Sequence, residues 1–244
     1  MTLLPSVCKA ALAFFGYLGI HYACAFILPL PSAGYTVCAN LTAVAVSAAV
    51  FLLQGRSALS YAGVRALPWQ KVLAAVGVGV GFCLLIRLVM LTVPFPESWN
   101  SAYADRVNAV SRTSPPWLLY LSTIVVAPLA EEWVFRGLVL RVLKNGMPRP
   151  VAVLLCSAAF AALHGTVVWM LYTFVLGLLL CVLLECTHSL WACIACHAAF
   201  NVMGQIPFIG ILPEAAVIAV FAVGILMFVC TLGWLLFPKR TQEL

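Results

Sequence analysis

The sequence is poor in charge, and poorest in acid. Seven acidic and 13 basic residues serve 244 positions, and charged residues make up 8% of the chain against 65% hydrophobic; a soluble domain spends roughly a quarter of its residues on charge. That scarcity excludes a soluble globular domain. Runs that alternate polar and apolar residues are missing, which excludes a membrane β-barrel. There is no repeat of about 20–50 residues, no low-complexity segment and no polar module large enough to fold alone, so solenoids and multidomain plans fall away. The net charge of +6 does not describe a nucleic-acid surface either, because the basic residues are scattered singly along loop edges instead of forming a stripe.

What is present is a series of apolar runs about 18–26 residues long, separated by short connections bearing Pro, Gly or Arg. A helix needs about 20 residues to cross a hydrocarbon core of roughly 30 Å. The expected fold is therefore all-α: residues 1–244 as a single integral-membrane domain, a multi-pass transmembrane helical bundle of about eight spans. These are read at roughly 6–30, 34–54, 68–93, 116–143, 150–164, 167–185, 189–206 and 213–236, with ends good to a few residues. On alternate sides, one face receives Lys9, Arg56, Arg65, Lys71, Arg141, Lys144, Arg149, Lys239 and Arg240, and the other only Arg106 and Arg112. Cytoplasmic loops carry the excess of Lys and Arg, so both termini are expected inside. A signal peptide over residues 10–25, with a small-residue site at Ala23-Cys24-Ala25, is the alternative; the apolar run continues without a break to Leu30 and argues against it. The longest connection, residues 94–115, carries Trp99 and Tyr103 among polar neighbours and reads as a short amphipathic helix along the interface, spanning a gap or gating a cavity.

Cysteine, by contrast, is abundant, with ten residues. Cys8, Cys24, Cys38, Cys83, Cys156, Cys181 and Cys230 fall inside apolar runs, where a thiol packs as a small hydrophobe. Cys193-Ile-Ala-Cys196-His197 has the form used for c-type haem attachment, but it lies inside an apolar span and no isolated axial partner is evident. No haem is expected.

Against this apolar background the polar residues within spans stand out, since an acid or base at a helix centre costs roughly 2.5–3.5 kcal/mol on insertion. They are Arg87, Glu131, Glu132, Arg136, His164, His197 and Asn201, with His21 and Gln205 as lesser members. Arg87 is read as snorkelling to the interface and His21 as a histidine hydrogen-bonded between helices. Glu132 and Arg136 are four apart in the favourable order and neutralise each other. Glu131 is rotated by about 100° from Glu132, so its charge must be met by another helix or by water. His197 and Asn201 again share a face. At 1.5 Å per residue, Glu131, His164, His197 and Asn201 lie about 12–21 Å deep, within reach of one cavity.

A carboxylate, two imidazoles and a carboxamide in a sheltered cavity suit peptide hydrolysis. The carboxylate can take a proton from water while a histidine orients that water, and N–H donors on the His197/Asn201 face can receive the negative charge that builds on the carbonyl oxygen. The same groups could hold zinc with one position open for water, and spacing leaves that alternative standing.

Glu131-Glu132-Trp-Val-Phe-Arg136, Phe160-Ala-Ala-Leu-His164 and His197-Ala-Ala-Phe-Asn201 resemble, in order, the EExxxR, FxxxH and HxxxN motifs of the CAAX protease and bacteriocin-processing (CPBP, or Abi) family of intramembrane proteases, which includes type II CAAX prenyl endopeptidases. The resemblance covers residues 115–206, the four later helices that form that family's catalytic core. It implies Glu131 as general base, His164 helping to activate water, His197 and Asn201 as the oxyanion site, and Glu132 with Arg136 as a structural ion pair. It also implies a glutamate-dependent route with no cofactor required; a zinc-dependent form would use Glu131, His164 and His197. The expected partners are membrane lipids and a membrane-associated peptide or protein substrate, prenylated or bacteriocin-like. The compact build is similar to bacterial members, which points to a bacterial cytoplasmic membrane. The competing readings are a non-catalytic scaffold or bacteriocin-immunity protein, and a transporter, for which the sequence shows no repeat or paired broken helices.

Overall fold

The computed structural model describes residues 3–237. Among them there is no strand, and the chain runs through ten helices: α1 (Leu3–Ile27), α2 (Ser32–Leu53), α3 (Ala58–Ala62), α4 (Trp69–Thr92), α5 (Glu97–Thr113), α6 (Pro116–Lys144), α7 (Arg149–Ala162), α8 (Val167–Thr187), α9 (Leu190–Gln205) and α10 (Glu214–Leu236). Each of the eight expected apolar runs is a helix, but only six helices, α1, α2, α4, α6, α8 and α10, are long and apolar enough to cross a membrane. At 14 residues α7 is about 21 Å long, and at 16 residues α9 is about 24 Å. Both fall short of a roughly 30 Å core, so the expected count of about eight spans is not confirmed. Lys239 and Arg240, two of the charges used to orient the chain, lie outside the described residues.

Helix ends follow local chemistry. Pro31, Pro68, Pro96, Pro115, Pro148 and Pro213 each sit immediately before a helix, where a missing N–H costs nothing and a fixed φ starts the first turn. Outward-facing positions are apolar, with Phe26 93% and Leu53 88% exposed, as expected where the surroundings are lipid and not water.

The interior gathers around α4, α6, α8 and α9. The large buried side chains Phe135, Phe160, Leu176, Leu180 and Leu190 belong to one cluster. In α1 and α10 only 11% of the apolar window is buried, against 50% in α4, so these two are outer helices. Close approach of α4 to α9 depends on Gly79, where a Cβ would collide with the carbonyl oxygen of Cys196. Small residues let backbones meet in this way where no hydrophobic effect drives helices together. Five of the cysteines, Cys83, Cys156, Cys181, Cys193 and Cys196, are buried free thiols, and Cys193 donates from Sγ to Leu180 O at 3.2 Å.

Candidate active site

The site is organised by α6, which is not a uniform α-helix. Wide π turns over Leu121–Val126 and Trp133–Val139 flank a short α segment, Ala127–Glu132, that ends on the two glutamates. Such turns are rare and recur at functional sites. The first has a cause in the sequence. Ala127 N–H bonds Ser122 O, so the next donor in register for Thr123 O is residue 128, which is proline and has none. Thr123 O is thereby left free, and Asn201 Nδ2 of α9 donates to it at 2.7 Å.

One turn further on, Glu132 and Arg136 form the i,i+4 pair at 3.0 Å, both side chains 0% exposed. The same Glu132 Oε1 accepts from His197 Nδ1 at 2.9 Å. Arg136 is held on three sides: by Glu132, by Gly177 O at 3.1 Å from Nη2, and by the Phe160 ring, 4.5 Å beneath the guanidinium. Gly177 can present its carbonyl because α7 and α8 touch there; a Cβ would sit 3.0 Å from Ser157 Cβ. Burying this charge pair is tolerable only because both ions have further partners.

Glu131 differs in each respect. Its side chain keeps 17% of its exposure, it has no arginine partner, and its nearest ionisable contact is His197 Nε2 at 4.0 Å. That is too long for a hydrogen bond and short enough for strong electrostatic coupling. His197 thus stands between the two glutamates, one nitrogen committed to Glu132 and the other turned toward Glu131.

His164 follows the end of α7, half-buried, and its Nδ1 lies 3.0 Å from Phe160 O. A carbonyl only accepts, so Nδ1 carries the proton and Nε2 is an acceptor. Phe160 packs edge-on between the imidazoles, 5.1 Å from His164 and 5.7 Å from His197, with Phe135 at 5.3 Å on its remaining side. A fully buried phenyl ring therefore sets the position of both histidines and of Arg136. The structure brings Glu132, Arg136 and His197 into direct contact, sets Glu131 beside His197, and places His164 across Phe160; Asn201 reaches α6 at Thr123.

Two polar residues take up positions other than those read from the sequence. Arg87 does not simply snorkel: Nη1 donates to Met203 O at 3.0 Å and Ile206 O at 2.7 Å, and the guanidinium lies 4.5 Å over Phe208. It closes the C-terminal end of α9, the helix bearing His197 and Asn201, where free carbonyls and the helix dipole favour a cation. His197 is the second: its Nδ1 is joined to Glu132, a partner not read from the sequence, while Nε2 stays free. His21 does bond between helices, 3.3 Å from Asn40 Oδ1, which also accepts from Tyr17 OH at 2.7 Å. Asn40 is absent from the polar set read from the sequence, although an amide inside an apolar run is signal enough; Tyr17 packs on Phe135 at 5.9 Å and so borders the site.

The zinc alternative requires Glu131, His164 and His197 to converge. Among the described residues no three His, Cys, Asp or Glu side chains are grouped to hold a metal ion; Nδ1 of both histidines is engaged, which leaves Nε2 of each as the nitrogen that a metal would take.

Residues 113–203 match the family model for Rce1-like proteins, type II CAAX prenyl endopeptidase Rce1-like. This segment is similar to that family. It contains all seven motif residues, from Glu131 to Asn201, and agrees with the CPBP resemblance. No curated protein and no solved structure matches the chain significantly. The Rce1-like match supports a CAAX-type intramembrane protease at the level of the family, and with six apolar helices of spanning length the chain is an integral membrane protein.

Proposed function

We propose that the chain is an intramembrane endopeptidase that hydrolyses a peptide bond of a membrane-associated substrate, with Glu131 as general base. The observation that carries this reading is the division between adjacent glutamates: Glu132 is sealed and twice paired, while Glu131 is partly accessible and free of arginine. The charges of Arg136 and Glu132 cancel. Glu131 and His197 then hold one charge of each sign when a proton sits on His197, and none when it sits on Glu131. The cluster is neutral either way, so the proton changes place without leaving a net buried charge.

In the reaction Glu131 takes a proton from water as the water oxygen attacks the scissile carbonyl carbon, and Nε2 of His164 accepts a hydrogen bond that orients that water. The charge on the carbonyl oxygen is met by the second N–H of Asn201 and by His197 Nε2 in its protonated state. Protonated Glu131 then delivers its proton to the departing amine. The candidate substrates are prenylated proteins, a class supported by the Rce1-like similarity, and bacteriocin-like peptides. We place the protein in a bacterial cytoplasmic membrane, on the family resemblance, with both termini inside, an orientation supported by Arg65, Arg141 and Lys144 gathering at one end of the bundle.

The test is cleavage of membrane-tethered peptides, prenylated and not, by purified wild type and Glu131→Gln, with and without chelator. Cleavage by wild type that survives chelator and is lost in the variant is expected. Equal cleavage by the two proteins would overturn the assignment of Glu131, and chelator sensitivity reversed by zinc would overturn the metal-free route.

A further inference from the structure

The chemistry above does not use the basic end of the bundle. A cavity of about 250 Å³ there is lined by Arg65, Arg136, Arg141, Lys144, Glu185 and His188. A second cavity of about 370 Å³ is apolar, lined by Ala66, Leu67, Val72, Trp191 and Ile194. The chain joins them directly, since Arg65 lines the first and its successors Ala66 and Leu67 line the second. That connection is held in place: Leu190 N–H donates to Gly63 O at 3.0 Å and Ser189 Oγ donates to Arg65 O at 2.6 Å. Arg141 is placed by the Tyr61 ring, 5.4 Å from its guanidinium.

Two of the four cations are matched, Arg136 by Glu132 and Lys144 by Glu185. Arg65 and Arg141 have no acidic partner among the described residues. Basic residues in the last turn of α6 also complement its carbonyl end, which accounts for Arg141 and Lys144 but not for Arg65, brought in from a different loop. Guanidinium groups suit phosphate oxygens, and basic pockets between transmembrane helices take lipid head groups. A free phosphate would need only the basic cavity, whereas the apolar one beside it, with Trp191 in its wall, matches an acyl chain.

We propose that this end of the molecule binds an anionic phospholipid, its phosphate in the basic cavity and one acyl chain along the apolar one. The inference does not depend on proteolysis. It does place a lipid head group at the end of α6, two turns from the buried Arg136 that holds Glu132.

Native mass spectrometry of the full chain, released from nanodiscs containing equal phosphatidylglycerol and phosphatidylcholine, tests it. Wild type should retain phosphatidylglycerol in preference. An Arg65→Gln/Arg141→Gln variant should bind it about thirty-fold more weakly, from about one head-group interaction energy per basic residue, while Arg149→Gln, outside the cavity, should match wild type. Dihexanoyl phosphatidylglycerol should compete poorly and millimolar inorganic phosphate not at all. Equal retention of the two lipids by wild type overturns the proposal without recourse to any variant. Displacement of the lipid by phosphate alone, or short-chain competition equal to long-chain, would overturn the acyl-chain half and leave a simple phosphate site.

Discussion

The two adjacent glutamates should respond in opposite ways to the same substitution. Glu131→Gln removes a proton acceptor that has no fixed hydrogen-bond partner, so cleavage should fall by about 10²–10⁴-fold while the midpoint of thermal unfolding changes little. Glu132→Gln leaves Arg136 buried without its counter-ion and should cost about 3–5 kcal/mol of stability. Measuring unfolding and cleavage on both variants separates the roles; a destabilised Glu131→Gln with full activity would reverse them. Phe160 presents a third case. Its replacement by Ala opens a cavity worth about 3–5 kcal/mol at a point where both imidazoles and the Arg136 guanidinium lose their common support. Residual folded Phe160→Ala should therefore cleave more slowly than wild type at equal folded fraction.

Individual helices are shaped by where donors and carbonyls are left over. Pro128 withholds the N–H that Thr123 O would otherwise take, and Asn201 supplies one from α9. Pro128→Ala returns a competing donor to α6, and cleavage should drop toward that of Asn201→Ala, itself about 10²–10³-fold below wild type if the amide stabilises the oxyanion. An unchanged rate in Pro128→Ala would show that the Thr123 contact does not position Asn201. Arg87 acts at the other end of α9. Arg87→Gln gives up two charge-assisted bonds to Met203 and Ile206 carbonyls, about 1.5–3 kcal/mol each, and should expose residues 204–213 to limited proteolysis sooner than wild type; Arg87→Lys should recover part of that protection. On α5, Tyr103 lies edge-on to Trp169 at 6.0 Å and Tyr172 at 6.3 Å, and Trp169 is 5.6 Å from His164. The interfacial helix anticipated between residues 94 and 115 is thus a 17-residue helix with no buried residue, tied to the site's border through aromatic rings.

At the scale of the whole molecule, six helices are of spanning length and two are shorter, and the short ones carry His164, His197 and Asn201 or lead into them. A helix that ends within the hydrocarbon thickness leaves its terminal polar groups exposed to it unless protein or a water-lined cavity receives them. The turn after α7 should therefore lie below the membrane surface yet within reach of water. A cysteine at Val167 should react with a small membrane-impermeant thiol reagent more slowly than one at Arg149 and faster than one at the buried Val168. Labelling of Val167→Cys as fast as Arg149→Cys would place that turn at the surface and restore the longer count of spans.

The sequence by itself determined the membrane class, the all-helical fold, the helix starts marked by proline, and the i,i+4 pairing of Glu132 with Arg136. These depend on transfer free energy and on neighbours along one helix, both written in local order. The rotation of Glu131 away from Glu132 was legible for the same reason, and its partial exposure beside a sealed neighbour follows from it. Only the tertiary structure decided that His197 bonds Glu132, that Asn201 is answered by a carbonyl released at Pro128, that Arg87 closes α9, and that Arg65 meets Arg141 across a shared cavity. Each of these joins residues more than 60 positions apart, and which helices become neighbours is set by the close packing of small and large side chains over the whole bundle, as at Gly79 against Cys196, which no window of the sequence contains.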